Sequence, residues 1–324
     1  MNNAGKNWRK VSKRGTNDHM ATRAHITGLE AGYRKDQTLI NGRFEVIQEL
    51  GRGASGVVYR TFDRLRRQEV VLKHLWANTS GASNTAEETR ETFRLLTRLK
   101  HPCLPRLIDW GEDGDGRVFY TKSIASGQPA TTLAGTMTAG AVATIAQLLS
   151  DTIGALHRTG YCHGDIKPDN LLVEASTGSP PSATLIDFGL IFRASDEQAG
   201  VRGTARYIAP ELLSGSAGPS PTTDLYAMGA TLYHLLYGHA PFARPGEDIT
   251  VTDTGLIDQI LNDEPLHPPA DWQPPTGADR EAAAALIPII RDLMNRQAGP
   301  RQAAISRAQR ELIRWAPRVP RIAS

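Results

Sequence analysis

The sequence contains little cysteine. Its 324 residues include two cysteines, Cys103 and Cys162, each beside or near a histidine. Neither pair has the spacing of a zinc-binding motif, and two cysteines are too few for the disulfide framework of a small secreted domain. We therefore expect a fold that is stabilised by its hydrophobic core, in a reducing compartment.

The sequence also lacks a long hydrophobic run and a strong excess of one charge. The longest apolar run, 282–290, is far shorter than the roughly 20 residues that cross a membrane, and the basic N-terminus lacks the apolar core of a secretory signal. The net charge of +3 is too small to favour nucleic acid as a partner. These absences predict a cytoplasmic protein that neither inserts into a membrane nor binds nucleic acid.

The composition and hydrophobic pattern of the chain change at two points. Residues 1–38 are polar and basic without periodicity, which indicates a disordered arm rather than a docking segment. A first part rich in β-like runs and a second part rich in helical patterns then meet near residues 122–128, which predicts an α+β fold. The first part contains the runs 43–50, 56–63, 69–75 and 117–125 and one helix that begins after Thr85; the second contains a long helix at 139–160, two short strands at 171–175 and 183–189, and mainly helices after residue 220.

A glycine-rich segment, GRGASGVV, joins the first two β-like runs. Its glycines at 51, 53 and 56 allow the backbone to approach a phosphate group closely. In dinucleotide-binding folds the last glycine opens a helix, whereas here Val57 and Val58 continue a strand. The segment therefore favours a flap over nucleotide phosphates, with a plain hairpin turn as the alternative.

Five charged or polar side chains indicate a chemical function. Two of them lie in apolar runs, where their burial is costly, and three lie at fixed offsets in one short segment. Lys73 lies in the apolar run VVLKHL, where burial of its ammonium requires an anion, and Asp187 ends the apolar run LID. In HGDIKPDN, Asp165 suits proton acceptance, Lys167 suits charge neutralisation, and Asn170 offers an oxygen to Mg²⁺. The order and spacing of these residues predict phosphoryl transfer.

With these motifs in place, the chain resembles a Hanks-type serine/threonine protein kinase of the compact bacterial kind. The resemblance extends over residues 43–316 and includes GxGxxGxV, the strand lysine, D-x-K-x-x-N, D-F-G and GTARYIAPE at 203–211. It implies a bilobal fold, with a small antiparallel β lobe carrying one helix and a larger, mainly helical lobe. The implied boundaries are a kinase domain at 39–316, with lobes at about 39–122 and 126–316, and a short tail at 317–324.

The resemblance also implies the site residues. Asp165 would be the catalytic base, assisted by Lys167, Lys73 and Thr204, while Asn170 and Asp187 would hold Mg²⁺. Glu211 would pair with Arg301, and Asp224 would support the backbone of the catalytic loop. ATP would bind beneath the glycine-rich segment and beside Val71, with contacts from Leu50, Gly51, Arg52, Gly53, Ala54, Ser55, Gly56, Val57, Val58, Lys73, Asn170 and Asp187. The implied partner is a protein substrate with a serine or threonine acceptor, and autophosphorylation is an expected reaction.

Several positions depart from the family pattern. Gly164 replaces the arginine that precedes the catalytic aspartate, which argues against phosphorylation of the activation loop as the on-switch. The family glutamate that pairs with Lys73 falls on Thr92, so Glu91 or Glu88 would have to take its place. Val71 and Lys122 stand at positions that line the adenine pocket, where they would narrow it or alter nucleotide binding without blocking it.

Two alternatives follow from the same residues. Thr92, Val71 and Lys122 favour a pseudokinase that acts as a scaffold, although every proton-accepting and metal-binding position is intact. The letters HGD resemble small-molecule phosphotransferases, which lack the lysine of DIK and the GT..Y.APE segment. Because both features are present here, the sequence favours a protein kinase.

Overall fold

Six antiparallel strands form the main sheet of the first lobe. The computed structural model describes residues 39–315 except for 54–55, 77–89, 91–92, 176–178, 188–190, 195–202, 243–253, 266–267, 269–271 and 274–275. The sheet has the order β1-β2-β3-β4-β6-β5. Its strands are β1 (Leu39–Ile40), β2 (Phe44–Gly53), β3 (Gly56–Asp63), β4 (Gln68–Leu75), β5 (Leu107–Glu112) and β6 (Val118–Lys122).

The alternation of the sequence explains why these strands form a sheet with one buried face. In β3, every second side chain from Val57 to Asp63 is buried, and Arg60 between them is exposed. The described helical residues of this lobe are 90 and 93–96, and Phe93 and Leu96 share one core with Leu107 of β5. The first lobe is therefore a curled sheet that packs against helical residues.

Helices dominate the second lobe. Helix α3 is buried along almost its whole length, from Thr223 to Tyr237, so it lies at the centre of this lobe. Its start is fixed by a capping box between Ser220 and Thr223. The helices are α1 (Ala139–His157), α2 (Pro210–Ser214), α3 (Pro221–Tyr237), α4 (Thr254–Asn262), α5 (Gly277–Leu293) and α6 (Ala298–Glu311).

Helix α1 is the one helix in the described part of the chain that is long and apolar enough to cross a membrane. However, 72% of its most apolar stretch is buried inside the fold, and its N-cap is Thr138, whose side chain accepts a hydrogen bond from the Ala141 N–H. It contacts both α3 and α5. These contacts make α1 a core helix of the second lobe.

Short strands between α1 and α2 carry the site. Strands β9 (Leu171–Glu174) and β10 (Ser182–Leu185) pair antiparallel, with Leu171 opposite Leu185. The start of β9 therefore lies beside the end of β10, and the Ile186 N–H donates to the Asn170 carbonyl at 2.8 Å. This pairing brings Asn170 next to Asp187. The remaining short strands are β7 (Gln128–Pro129), β8 (Tyr161–Cys162) and β11 (Phe192–Arg193).

The predicted fold class is confirmed, whereas several element boundaries differ from the sequence pattern. Strand β2 continues through Gly53, because residues 51–53 still pair with 56–58 of β3. Strand β6 ends at Lys122, three residues earlier than predicted, and α1 ends at His157 rather than at 160. Strand and helix ends depend on pairing partners and caps, which periodicity does not encode. The start of the predicted helix after Thr85 lies outside the described residues.

Candidate active site

Asp165 lies at the centre of a cluster of polar side chains from one short loop and the segment near residue 204. The Asn170 amide nitrogen donates to the Asp165 carbonyl at 2.8 Å and to its Oδ2 at 2.9 Å. Thr204 donates from Oγ1 to Asp165 Oδ1 at 3.1 Å. Both carboxylate oxygens of Asp165 are therefore fixed by neighbours.

Lys167 contacts both Asp165 and Thr204. Its Nζ lies 2.7 Å from Asp165 Oδ2 and donates to Thr204 Oγ1 at 2.7 Å. The lysine, the threonine and the aspartate thus form a closed triangle of contacts. This triangle places a cation and a proton acceptor side by side at the surface of the cleft.

The backbone of this loop is held from below by Asp224 on α3. One oxygen of Asp224 accepts the Gly164 N–H at 2.9 Å, and the other accepts the His163 N–H at 2.8 Å and contacts His157 Nε2 at 2.8 Å. The predicted support of the catalytic loop by Asp224 is confirmed. Because Asp224 is almost fully buried in the central helix, it ties the loop to the core of the lobe.

His163 is an additional residue of this loop that sequence reasoning missed. It is fully buried, and its Nδ1 accepts the Asp165 N–H at 3.3 Å. Burial lowers the pKa of His163, although the nearby carboxylates of Asp224, Asp165 and Asp187 act in the opposite direction. The buried imidazole therefore supports the backbone of the loop that carries Asp165.

Lys73 of β4 and Asp187, which follows β10, form a close ion pair. Lys73 Nζ lies 2.6 Å from Asp187 Oδ1 and 2.8 Å from Oδ2, and the lysine side chain is 3% exposed. The sequence predicted a nearby anion for Lys73, and the structure places Asp187 in that position. Glu88, Glu91 and Thr92, the residues considered for a helix partner, lie outside the described residues.

Lys122 is a second buried lysine in the same region. It lies on β6 opposite Val71 of β4, and both side chains are buried. The Lys122 ammonium donates to the carbonyl of Ile186, the residue before Asp187. Burial lowers the pKa of Lys122 to about 8, while Asp187 acts to raise it and Lys73 to lower it.

The glycine-rich segment follows the edge of the first lobe. Gly56 requires glycine, because a Cβ at this position would lie 2.1 Å from the His74 carbonyl oxygen of β4. Gly51 and Gly53 have no such neighbour among the described atoms, and Leu50 is exposed. The Arg52 guanidinium donates to Glu49 at 3.0 Å and lies over the Trp76 ring, 5.5 Å from its centroid, so it is held beside the segment. Ala54 and Ser55 lie outside the described residues.

The segment after Thr204 is anchored to the far end of the lobe. Glu211 of α2 forms a bidentate ion pair with Arg301 of α6, at 2.6 Å and 2.9 Å, as predicted from the sequence. Arg301 is fully buried and also donates to the carbonyls of Asn295, Thr222 and Arg296. These contacts fix residues 203–211 as a platform beside Asp165.

Two oxygen groups of the site suit a hard cation such as Mg²⁺. The Asn170 nitrogen is engaged by Asp165, which leaves its Oδ1 for a cation. The Asp187 carboxylate is 27% exposed. The hydrogen bond between the Ile186 and Asn170 backbones holds Asp187 near the side-chain oxygen of Asn170. Carboxylate and amide oxygens are the ligands that Mg²⁺ prefers, so these residues fit the ion.

Comparison with known proteins identifies a protein kinase domain at residues 44–312. The DNA damage-responsive serine/threonine-protein kinase RqkA of Deinococcus radiodurans is 34% identical over 249 residues, which are 73% of this chain and 35% of that protein. Serine/threonine-protein kinase PknL of Mycobacterium tuberculosis is 31% identical over 223 residues, 66% of this chain and 54% of that protein. Serine/threonine-protein kinase pkn2 of Myxococcus xanthus is 30% identical over 218 residues, 65% of this chain and 26% of that protein.

These matches cover most of the present chain but only part of each relative. The chain spans between about a quarter and about half of the length of the three curated relatives. The matched family region contains the glycine-rich segment, Lys73, the Asp165 loop, Asp187 and the Glu211–Arg301 pair. The chain therefore belongs to the protein kinase domain family.

Proposed function

We propose that this protein is an ATP-dependent serine/threonine protein kinase. The observation that carries the proposal is the convergence of Asp165, Lys167 and Thr204 within hydrogen-bonding distance of one another at the cleft. A carboxylate beside a cation can orient a hydroxyl group and accept its proton as that oxygen attacks a phosphoryl group. The proposed substrate is a protein with a serine or threonine acceptor, and autophosphorylation is part of the proposed activity.

The residues around Asp165 have separable roles in this proposal. Asp165 acts as the catalytic base, and the hydrogen bond from Thr204 keeps its carboxylate directed at the acceptor hydroxyl. Lys167 neutralises negative charge on the group being transferred, because its ammonium is adjacent to the base. When they are bound, ATP supplies the phosphoryl group and Mg²⁺ neutralises charge on its phosphates. Asn170 and Asp187 would hold the ion.

Lys73 and the glycine-rich segment would bind the nucleotide from the side of the first lobe. Lys73 provides a buried ammonium that already contacts Asp187, so the phosphate-binding cation and one metal ligand are positioned together. Residues 50–58 would cover the phosphates, with Val71 beside the base. These roles follow from the family resemblance and from the placement of the residues along one cleft.

A protein is a better candidate substrate than a small molecule. The segment 203–211 is fixed at both ends, by Thr204 on Asp165 and by Glu211 on Arg301. A rigid platform next to the base is suited to a peptide backbone, whereas a small-molecule substrate does not need it.

We place the reaction in the cytoplasm, in line with the reducing compartment expected from the two cysteines.

The proposal is tested by comparing wild type with Asp165→Ala and the control Asp115→Ala, which removes an exposed carboxylate in the turn between β5 and β6. Each protein is incubated with labelled ATP and Mg²⁺, alone and with a serine- and threonine-rich protein, and modified residues are mapped by mass spectrometry. We expect phosphoserine or phosphothreonine with wild type and the control, and a rate about 10²- to 10⁴-fold lower with Asp165→Ala. If wild type binds ATP without transferring phosphate, the protein is a scaffold; if Asp165→Ala retains full activity, Asp165 is not the base.

A further inference from the structure

Two lysines from neighbouring strands reach two consecutive residues at the end of β10. Lys73 on β4 contacts both carboxylate oxygens of Asp187, and Lys122 on β6 donates to the carbonyl of Ile186. The register of the sheet makes this arrangement possible. Lys73 lies opposite Tyr120 and Val71 lies opposite Lys122, so the alternation of side chains places both lysines on the same face of the sheet.

Lys122 is an energetically costly residue at this position. Its side chain is 5% exposed, and its ammonium is deprived of most of its hydration. The hydrogen-bond acceptor that the structure gives it is a neutral carbonyl rather than a carboxylate. An unbranched apolar side chain such as methionine would fill the same space without that cost, so the distinctive contribution of the lysine is its bond to Ile186.

That bond acts on the orientation of Asp187. The Ile186 carbonyl belongs to the same planar peptide unit as the Asp187 N–H, so fixing the carbonyl fixes the plane from which Asp187 projects. The N–H of Ile186 is already bonded to Asn170 at 2.8 Å. Ile186 is therefore held at both its N–H and its carbonyl, immediately before the proposed metal ligand.

We propose that Lys122 is a positioning residue for phosphoryl transfer, which acts by holding the Ile186–Asp187 peptide so that the Asp187 carboxylate points into the cleft. The proposal rests on the kinase function proposed above. It assigns the two lysines different tasks: Lys73 contacts the carboxylate itself, and Lys122 contacts the backbone that carries it.

The test uses Lys122→Met, which keeps the length of the side chain and removes the donor. Thr121→Val is the matched control, because Thr121 is the adjacent buried residue of β6 and bonds to the Asp109 carbonyl on the other face. Lys122→Leu is a second variant if the methionine protein does not fold. Hydrogen–deuterium exchange of the peptide 182–187 is measured without nucleotide, and kcat and KM for ATP are measured at saturating Mg²⁺.

We expect faster exchange at 182–187 in Lys122→Met, with a melting temperature equal to or above that of wild type because a buried charge is removed. We also expect kcat to fall about 10- to 100-fold, as for a misplaced catalytic group. Thr121→Val should change neither the exchange nor kcat. If Lys122→Met lowered kcat only because the whole protein was destabilised, the result would contradict a positioning role.

Unchanged exchange at 182–187 overturns the proposal, whether or not the wild type transfers phosphate. Faster exchange with unchanged kcat also overturns it, since Lys122 would then hold the backbone without affecting catalysis. If wild type shows no phosphotransfer, the kinase function fails independently, and the exchange measurement still decides whether Lys122 fixes Ile186.

Discussion

At the scale of single residues, the backbone conformation at position 164 favours glycine. Gly164 has a φ of 79°, a left-handed conformation that costs other residues roughly 1–2 kcal/mol. Its N–H donates to Asp224, so the loop needs this conformation to reach the buried carboxylate. Glycine at position 164 therefore avoids backbone strain next to Asp165.

Asp187 provides a prediction at the same scale. Asp187→Asn keeps the shape of the side chain but removes the charge that would bind Mg²⁺, so we expect Mg²⁺-dependent nucleotide binding to be lost. Titration of a fluorescent ATP analogue with and without Mg²⁺ measures this, with Asp115→Asn as the control. Undiminished Mg²⁺-dependent binding would show that Asp187 is not a metal ligand.

At the scale of secondary-structure elements, the two lobes contain ion pairs of very different exposure. Glu211 and Arg301 join α2 to α6, and the arginine has no exposed surface. Arg60 and Glu69 join β3 to β4, but both side chains are more than a third exposed. A buried charge that loses its partner is costly, whereas a surface pair contributes little.

The two ion pairs therefore predict different losses of stability when the glutamate of each pair is replaced by glutamine. Glu211→Gln leaves the Arg301 charge buried without a carboxylate, and we expect it to lower the free energy of unfolding by about 3 kcal/mol. Glu69→Gln should lower it by less than about 1 kcal/mol. Denaturant unfolding measures both values, and equal losses would contradict the assignment of Arg301 as a buried structural cation.

At the scale of the whole molecule, several histidines are kept neutral by burial. Burial lowers the pKa of His74, His101, His163 and His234, and the value for His234 falls to about 4 from the usual 6.5. Below pH 6.5 these histidines therefore bind more protons in the unfolded chain than in the folded protein. The stability due to these groups is complete above that pH and is lost as the pH falls towards 4.

We accordingly expect the free energy of unfolding to decrease between pH 7.5 and pH 5.5. His234 contacts the Tyr207 hydroxyl at 2.7 Å, so His234→Gln should lower stability at both values but reduce the difference between them. His25→Gln, in the N-terminal segment, is the control and should leave the difference unchanged. A wild-type protein equally stable at both values would contradict the argument.

Much of the fold and of the candidate site could be predicted from short patterns. Asp165, Lys167 and Asn170 fall within one loop of six residues, so their fixed offsets already place them together. The alternation of β3 and the caps of the helices are equally local. The partner of Lys73 could not be chosen from sequence, because the helix pattern offered only Glu88 and Glu91, whereas Asp187 lies 114 residues away.

The sequence by itself therefore determined the α+β composition, the two-part organisation and the grouping of Asp165, Lys167 and Asn170 in one loop, since these depend on neighbours within a few positions. Only the tertiary structure decided which distant groups meet: Lys73 with Asp187 across 114 positions, and Lys122 with Ile186 across 64 positions. Such contacts depend on strand register and on the packing of buried polar groups. A one-residue change in the register of β6 would turn Lys122 to the opposite face and leave the same sequence without this link to the site.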